Sequence, residues 1–212
     1  MNKPSDILET AEHGEDTFTL ERSVKGLELK VNGNLLMEEK CTMSEQMMAD
    51  LVRDKLIDGA RILVGGLGLG FTLKRLLHHA QSRVEIMVAE IVPELIDWHR
   101  KHLDPSILDD PRVTIHKGDV SECLDPSDQF DVILMDVDND PDHLLLESNG
   151  KFYTQQGIEH VQRCLAMGGR VVYWAAFCCA KFEFRLGQEY RKTMTVPFKS
   201  PGHDYFLHMG IK

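Results

Sequence analysis

Polar and apolar positions alternate with two different periods along this chain, and the period changes within its first third. Residues 27–31 (LELKV) place apolar side chains at every second position, and Asn32-Gly33 then supplies a two-residue turn, which predicts a β-hairpin. The stretch SEQMMADLVRDKL follows with helical spacing, and Ser44 is predicted to cap that helix. We therefore predict a small β-rich segment over residues 1–43 and a second unit over residues 44–212.

Short aliphatic runs alternate with helical segments in the second unit. The runs that predict buried strands are RILVG (61–65), VEIMVAE (84–90), VTIHKGD (113–119), DVILMD (131–136) and RVVYWAA (170–176). Helices are predicted after Gly70, from Pro93, and over residues 154–166, the last ending at Gly168-Gly169. Such alternation implies an α/β fold with a Rossmann-like, mostly parallel sheet. The tail runs YRKTMTVPF and DYFLHMGI, joined by KSPGH, predict a C-terminal antiparallel hairpin.

A glycine-rich turn connects the first of these strands to its helix. Gly66, Gly68 and Gly70 follow the aliphatic run, in a position where backbone N–H groups and a helix N-terminus approach a ligand. A Walker loop would continue with lysine, and a dinucleotide fold would place its third glycine where Phe71 stands. Two interpretations remain. The turn is either the tighter type that holds S-adenosylmethionine and its relatives, or a glycine turn that binds no ligand.

Carboxylates follow the predicted strands at their carboxyl ends, which is the edge where an open parallel sheet binds its ligands. Glu90 ends the second strand about 20 residues beyond the glycines, as expected for an acceptor of ribose hydroxyls. Asp119 ends the third strand, where an adenine amino group would lie. Asp136 ends the fourth and is followed by Asp140 in the sequence DVDNDPD. We predict that Glu90 and Asp136 together serve a ligand, since each ends an apolar run.

Composition and charge restrict the classes of partner. The 212 residues are 42% hydrophobic and carry a net charge of −10, with no basic stripe, so we expect no nucleic-acid partner. The N-terminus is polar and acidic, and the longest apolar run is too short for a bilayer, so we expect no membrane association. Five cysteines without a C-x-x-C pair fit a cytoplasmic protein. His99 and His102 share a helix face without other ligands nearby, so no metal is expected.

Several segments, in this order, resemble the spermidine synthase family. They are GLGLGFTL, VAEIVPELIDWHRKHL, DPRVTIHKGD, FDVILMDVDNDP, FYTQQGIEHVQRCLAMGGRVVYW and the hairpin tail. The resemblance extends from about residue 25 to the C-terminus. It implies a class I methyltransferase-like Rossmann fold, a homodimer, and transfer of an aminopropyl group from decarboxylated S-adenosylmethionine to a small-molecule amine such as a polyamine precursor.

The resemblance also implies a role for each carboxylate. Glu90 would bind the ribose and Asp119 the adenine, beside Gly66, Gly68 and Gly70. Asp136 would deprotonate or orient the attacking amine, and Asp140 would hold the amine tail. A protonated amine is no nucleophile, so a carboxylate must accept its proton before attack on the carbon beside a sulfonium.

The chain departs from the family pattern at three places. The family's glycine loop, G-G-G-D-G-G, has an aspartate that meets the free amine of the decarboxylated donor, and this chain has Leu69 there. The family's Tyr-His-Glu stretch becomes Ser44-Glu45-Gln46, and one extra residue separates Asp136 from Asp140. Three hypotheses follow: aminopropyl or related alkyl transfer to an amine, methyl transfer from intact S-adenosylmethionine, and a non-catalytic module that binds an adenosyl nucleoside.

Overall fold

A four-stranded antiparallel sheet forms the N-terminal part of the structure. The computed structural model describes residues 5–137, 144, 147–200 and 203–212. The first sheet is a meander of β1 (Asp6–His13), β2 (Asp16–Ser23), β3 (Gly26–Val31) and β4 (Asn34–Glu38). Asn32 and Gly33 have φ of 52° and 79°, the conformation of a type I′ turn, and Val31 pairs with Asn34. The predicted hairpin and β-rich N-terminal segment are confirmed.

The second sheet has seven strands in the order β10-β11-β9-β8-β5-β6-β7. They are β5 (Arg61–Gly65), β6 (Glu85–Glu90), β7 (Val113–Lys117), β8 (Phe130–Met135), β9 (Leu165–Ala175), β10 (Lys192–Ser200) and β11 (His203–Ile211). Strands β5 to β9 pair in parallel, whereas β11 pairs antiparallel with both β9 and β10. The predicted α/β fold with a C-terminal antiparallel hairpin is therefore confirmed.

Helices cover both faces of this sheet. They are α1 (Met43–Asp50), α2 (Phe71–His79), α3 (Pro93–His102), α4 (Gln155–Arg163) and α5 (Ala180–Glu189). On one face, side chains of α1, α2 and α3 form a single core cluster with Val64 and Val88. On the other face, α4 and α5 pack Ile158 and Phe182 onto Leu63. The central strands β5, β6, β8 and β9 bury apolar side chains on both faces, which explains their continuous aliphatic runs.

Three local predictions were wrong. Ser44 does not cap α1, because Thr42 precedes the helix and Ser44 lies inside it, with its hydroxyl on the neighbouring carboxylate. The helix predicted over 154–166 ends at Arg163, because Leu165 already pairs with Phe130 in the sheet. Gly168-Gly169 therefore lies at a register shift inside β9 rather than at a helix end. Helix α5 was not predicted at all.

The strand order reverses beside β5. The chain runs outward from β5 through β6 to β7 and then returns to β8 on the other side of β5. In open parallel sheets such a switch point leaves a crevice at the carboxyl ends of the strands, where ligands bind. The first sheet packs next to this crevice: Leu20 and Leu29 share an apolar cluster with Leu69, Leu95 and Trp98.

Candidate active site

A cavity opens at the carboxyl edge of β5, β6 and β8, beside the switch point. Its polar walls come from the glycine turn, from the amide of Asn149 and from the carboxylates Glu45, Glu90, Asp119 and Asp136. Its apolar walls come from the first sheet, from the start of α3 and from the end of β9, and include Phe18, Leu29, Leu36, Met37, Val92, Leu95 and Trp174. Among the residues described, no lysine, arginine or histidine lines the cavity. Its chemistry therefore suits a partly apolar ligand that carries positive charge.

The glycine turn has the backbone conformation and close approaches that only glycine permits. Gly66, Gly68 and Gly70 have φ of 91°, 50° and 80°. A Cβ on Gly66 would lie 2.3 Å from the backbone oxygen of Asp136, and one on Gly68 would lie 2.4 Å from the sulfur of Met37. Gly66 and Gly68 line the cavity. Gly70 is outside the lining and precedes α2, so a direct ligand contact by Gly70 remains a prediction.

Glu90 is a buried carboxylate that holds the turn in place. Its Oε2 accepts a hydrogen bond from the backbone N–H of Leu67 at 2.9 Å, and its Oε1 accepts one from Val92 at 2.8 Å. Burial raises the pKa of Glu90, against the lowering effect of these backbone donors. Each carboxylate oxygen retains a further lone pair, so the side chain can still accept from a ligand hydroxyl. Its ribose contact remains a prediction.

Asp119 lines the same cavity but already has strong partners. Its Oδ1 accepts from the backbone N–H of Ser121 at 2.8 Å, and its Oδ2 lies 2.7 Å from Lys151 Nζ. Burial raises the pKa of Asp119, but Lys151 and Ser121 outweigh that effect and hold the pKa below its usual value. Asp119 is thus ionised and fixed in position, and the predicted adenine contact needs no change in its protonation.

Asp136 follows β8 directly and is half-buried in the cavity wall. Its Oδ2 accepts a hydrogen bond from the hydroxyl of Thr72 at 3.3 Å. Burial, together with the charge of Glu45, raises the pKa of Asp136 from 3.8 to about 7. Such a carboxyl can gain or lose a proton near neutral pH. Asp140, the predicted partner of the amine tail, lies outside the described residues.

Glu45 is a cavity residue that the sequence analysis noted only as a departure from the family pattern. It lies on α1 with only 6% of its surface exposed, and burial raises its pKa. Met48 and Ala49 are buried on the same helix, so a charged residue three positions before Met48 falls on the buried face. That mismatch of charge and helix face was the signal available in the sequence.

Leu69 and His99 stabilise the glycine turn without lining the cavity. Leu69 is buried among Leu95 and Trp98 in the apolar cluster and does not line the cavity. The Nε2 of His99 lies 3.0 Å from the carbonyl oxygen of Gly68 and must donate to it. Burial lowers the pKa of His99, which favours the neutral ring. His102 instead pairs with Glu9.

The described residues contain neither a cluster of metal ligands nor a membrane-spanning helix. No group of three or more histidine, cysteine, aspartate or glutamate side chains could hold a metal ion there. None of the helices in that part of the chain is long and apolar enough to cross a bilayer.

Known proteins resemble this chain in sequence over about half of its length and in fold over almost all of it. No family model matches. The chain is 31% identical over 128 residues to a spermine synthase of Arabidopsis thaliana, a match covering 58% of this chain and 35% of the relative. It is 35% identical over 119 residues to polyamine aminopropyltransferase 2 of Pseudomonas aeruginosa, covering 52% and 31%. The chain therefore matches only about a third of the length of either relative.

Solved structures extend the likeness to almost the whole chain. A spermidine synthase in complex with the transition-state analogue AdoDATO superposes with a TM-score of 0.81 at 20% identity, covering 98% of this chain and 74% of that one. Spermidine synthase from Thermotoga maritima superposes with a TM-score of 0.79 at 17% identity, covering 98% and 73%. The fold is that of spermidine synthases, and the predicted resemblance to that family is confirmed.

Proposed function

We propose that this chain is a transferase that moves an aminopropyl or related alkyl group from an S-adenosylmethionine-type donor to a small amine. One observation carries the proposal. A single switch-point cavity joins the glycine turn and Glu90, which suit an adenosyl group, to Asp136, whose pKa of about 7 suits a proton acceptor. The similarity to a spermine synthase and an aminopropyltransferase supports the same reaction class.

The adenosyl part of the donor would bind along the carboxyl edge of the sheet. The backbone of Gly66 and Gly68 would face the ligand, Glu90 would accept from the ribose hydroxyls, and Asp119 would lie near the adenine. These contacts together would leave the sulfonium beside Asp136. The cavity lining described above lacks basic side chains, which favours a cationic donor and a cationic acceptor.

The chemical step would need one proton acceptor and no covalent intermediate. Asp136 would take a proton from the acceptor ammonium, and the freed nitrogen would attack the carbon beside the sulfonium. The carbon–sulfur bond would break as the carbon–nitrogen bond forms, with the electron pair returning to sulfur to give a neutral thioether. A base whose pKa lies near the working pH is well matched to this step. We propose that Asp140 holds the far end of the acceptor.

One observation favours a second candidate, methyl transfer from intact S-adenosylmethionine. Leu69 occupies the position of the family aspartate that meets the donor's free amine, and it is buried in the apolar cluster. The turn therefore offers no carboxylate that would select a decarboxylated donor.

Three further proposals come from the sequence. They are the division into units 1–43 and 44–212, the homodimer and the cytoplasmic location.

The test is turnover with each donor and a panel of amines, with products identified by mass spectrometry. We expect alkyl transfer from decarboxylated S-adenosylmethionine to putrescine or a longer polyamine. Asp136→Asn keeps the shape but loses the base, which should lower kcat by about a hundredfold to ten-thousandfold. Its affinity for methylthioadenosine should change little, and Asp97→Asn, at an exposed position on α3, should behave as wild type.

Each other outcome selects an alternative. Methyl transfer alone would support the second candidate. Tight binding of adenosyl ligands without turnover of any donor would support a non-catalytic binding module. Unchanged turnover in Asp136→Asn would remove Asp136 from the mechanism.

A further inference from the structure

Glu45 and Asp136 bring two carboxylates to one cavity. Both line the cavity, and they are close enough for the charge of Glu45 to raise the pKa of Asp136. Among the described residues, no lysine, arginine or histidine forms an ion pair with either. The only described side chain that donates to Glu45 is its neighbour Ser44. A cation in the cavity would therefore stabilise the ionised forms of both carboxylates.

The glycine turn lacks the carboxylate that its family counterpart provides. Leu69 occupies that position, and its side chain points into the cluster with Leu95 and Trp98, away from the cavity. Helix α1 packs against α2, the helix that the glycine turn opens. Glu45 therefore reaches the cavity next to the turn, from a different element of the fold.

We propose that Glu45 is the binding residue for the ammonium group at the end of the donor's aminopropyl chain, in place of the carboxylate that the turn lacks. This inference rests on the proposed function. It assigns one carboxylate to each of the two cations in the reaction: Asp136 serves the attacking amine and Glu45 the donor's amine. The charge of Glu45 would also repel the carboxylate that intact S-adenosylmethionine carries beside its ammonium, so Glu45 would favour the decarboxylated donor and resolve the ambiguity that Leu69 leaves.

The test compares, by calorimetry, two thioethers that both lack the sulfonium charge. One is methylthioadenosine, and the other carries an aminopropyl group in place of the S-methyl group, so the pair differs by an ammonium tail. Wild type should bind the aminopropyl thioether more tightly. Glu45→Gln should lower the affinity for the aminopropyl thioether alone, by about tenfold to a hundredfold, which is the range for loss of a hydrogen bond to a charged group. Glu159→Gln, at an exposed position on α4, should leave both affinities unchanged.

A second variant guards against a folding defect. Glu45→Gln removes a buried charge and should unfold at a temperature no lower than that of wild type, and Glu45→Ala should lose the same preference. Equal weakening of both ligands, or of neither, would overturn the assignment while leaving the adenosyl site intact. So would a higher KM for the acceptor with an unchanged ligand preference. Failure of wild type to bind methylthioadenosine would overturn the proposed function as well.

Discussion

The raised pKa of Asp136 makes a prediction about stability that needs no substrate. Burial and Glu45 move its pKa from 3.8 to about 7 in the folded chain. Between these values the folded chain holds a proton that the unfolded chain has lost. The contribution of Asp136 to the free energy of unfolding is therefore fully present below about pH 3.8. It declines as the pH rises to about 7 and does not change further above that pH. At 1.36 kcal/mol for each pH unit, the full loss is about 4 kcal/mol.

The partial solvent exposure of Asp136 reduces that loss. Asp136 is half-buried and faces the cavity, so we expect about 1 to 2 kcal/mol. Asp136→Asn cannot ionise and should escape the loss. The variant should match wild type near about pH 4 and be more stable by about 1 to 2 kcal/mol near about pH 8.

The assay is urea unfolding of both proteins at intervals of about one pH unit over this range. The difference between the two free energies of unfolding cancels the contributions of titrating groups that do not interact with Asp136. Asp97→Asn, at its exposed position on α3, is the matched control for the loss of one carboxylate. A difference between Asp136→Asn and wild type that stays constant from acid to alkaline pH would refute the reasoning.

Two substitutions test the turn. Gly66→Ala should destabilise more than Gly33→Ala, because both positions have positive φ but only the Cβ at Gly66 would meet backbone, at 2.3 Å. Gly33→Ala should cost about 1 to 2 kcal/mol in urea unfolding, and equal costs would contradict the close approach. Glu90→Gln should lower the free energy of unfolding by about 1 to 3 kcal/mol, because the NH₂ group of glutamine cannot accept a hydrogen bond from a backbone N–H. It should also weaken the binding of methylthioadenosine at least about tenfold. Calorimetry with unaltered affinity would exclude Glu90 from the ligand site.

The sequence was most informative where a pattern is repeated along several elements. Buried parallel strands have continuous apolar runs, so the alternation of strands and helices and the carboxylates at the strand ends could be predicted. The strand ends of Glu90, Asp119 and Asp136 then meet at one edge for geometric reasons alone. The apolar run 171–180 extends into the start of α5 and masks it, and α5 itself has only Phe182 and Leu186 as buried residues.

Contacts between distant segments could not be predicted. Gly168-Gly169 resembles a helix end, yet the pairing of Leu165 with Phe130 overrides that local signal. The burial of Glu45 depends on how α1 packs against α2 and the sheet, and a helix of eight residues gives a weak pattern for that face.

The contact between the first sheet and the turn has a consequence for the order of folding. Met37 lies over Gly68, and Leu20 and Leu29 are buried against Leu95 and Trp98. The four strands of the first sheet leave the ribosome before the partners that cover them have been synthesised. Their apolar face must stay exposed until synthesis has passed α3, and this early segment is therefore where a nascent chain would most need protection from aggregation.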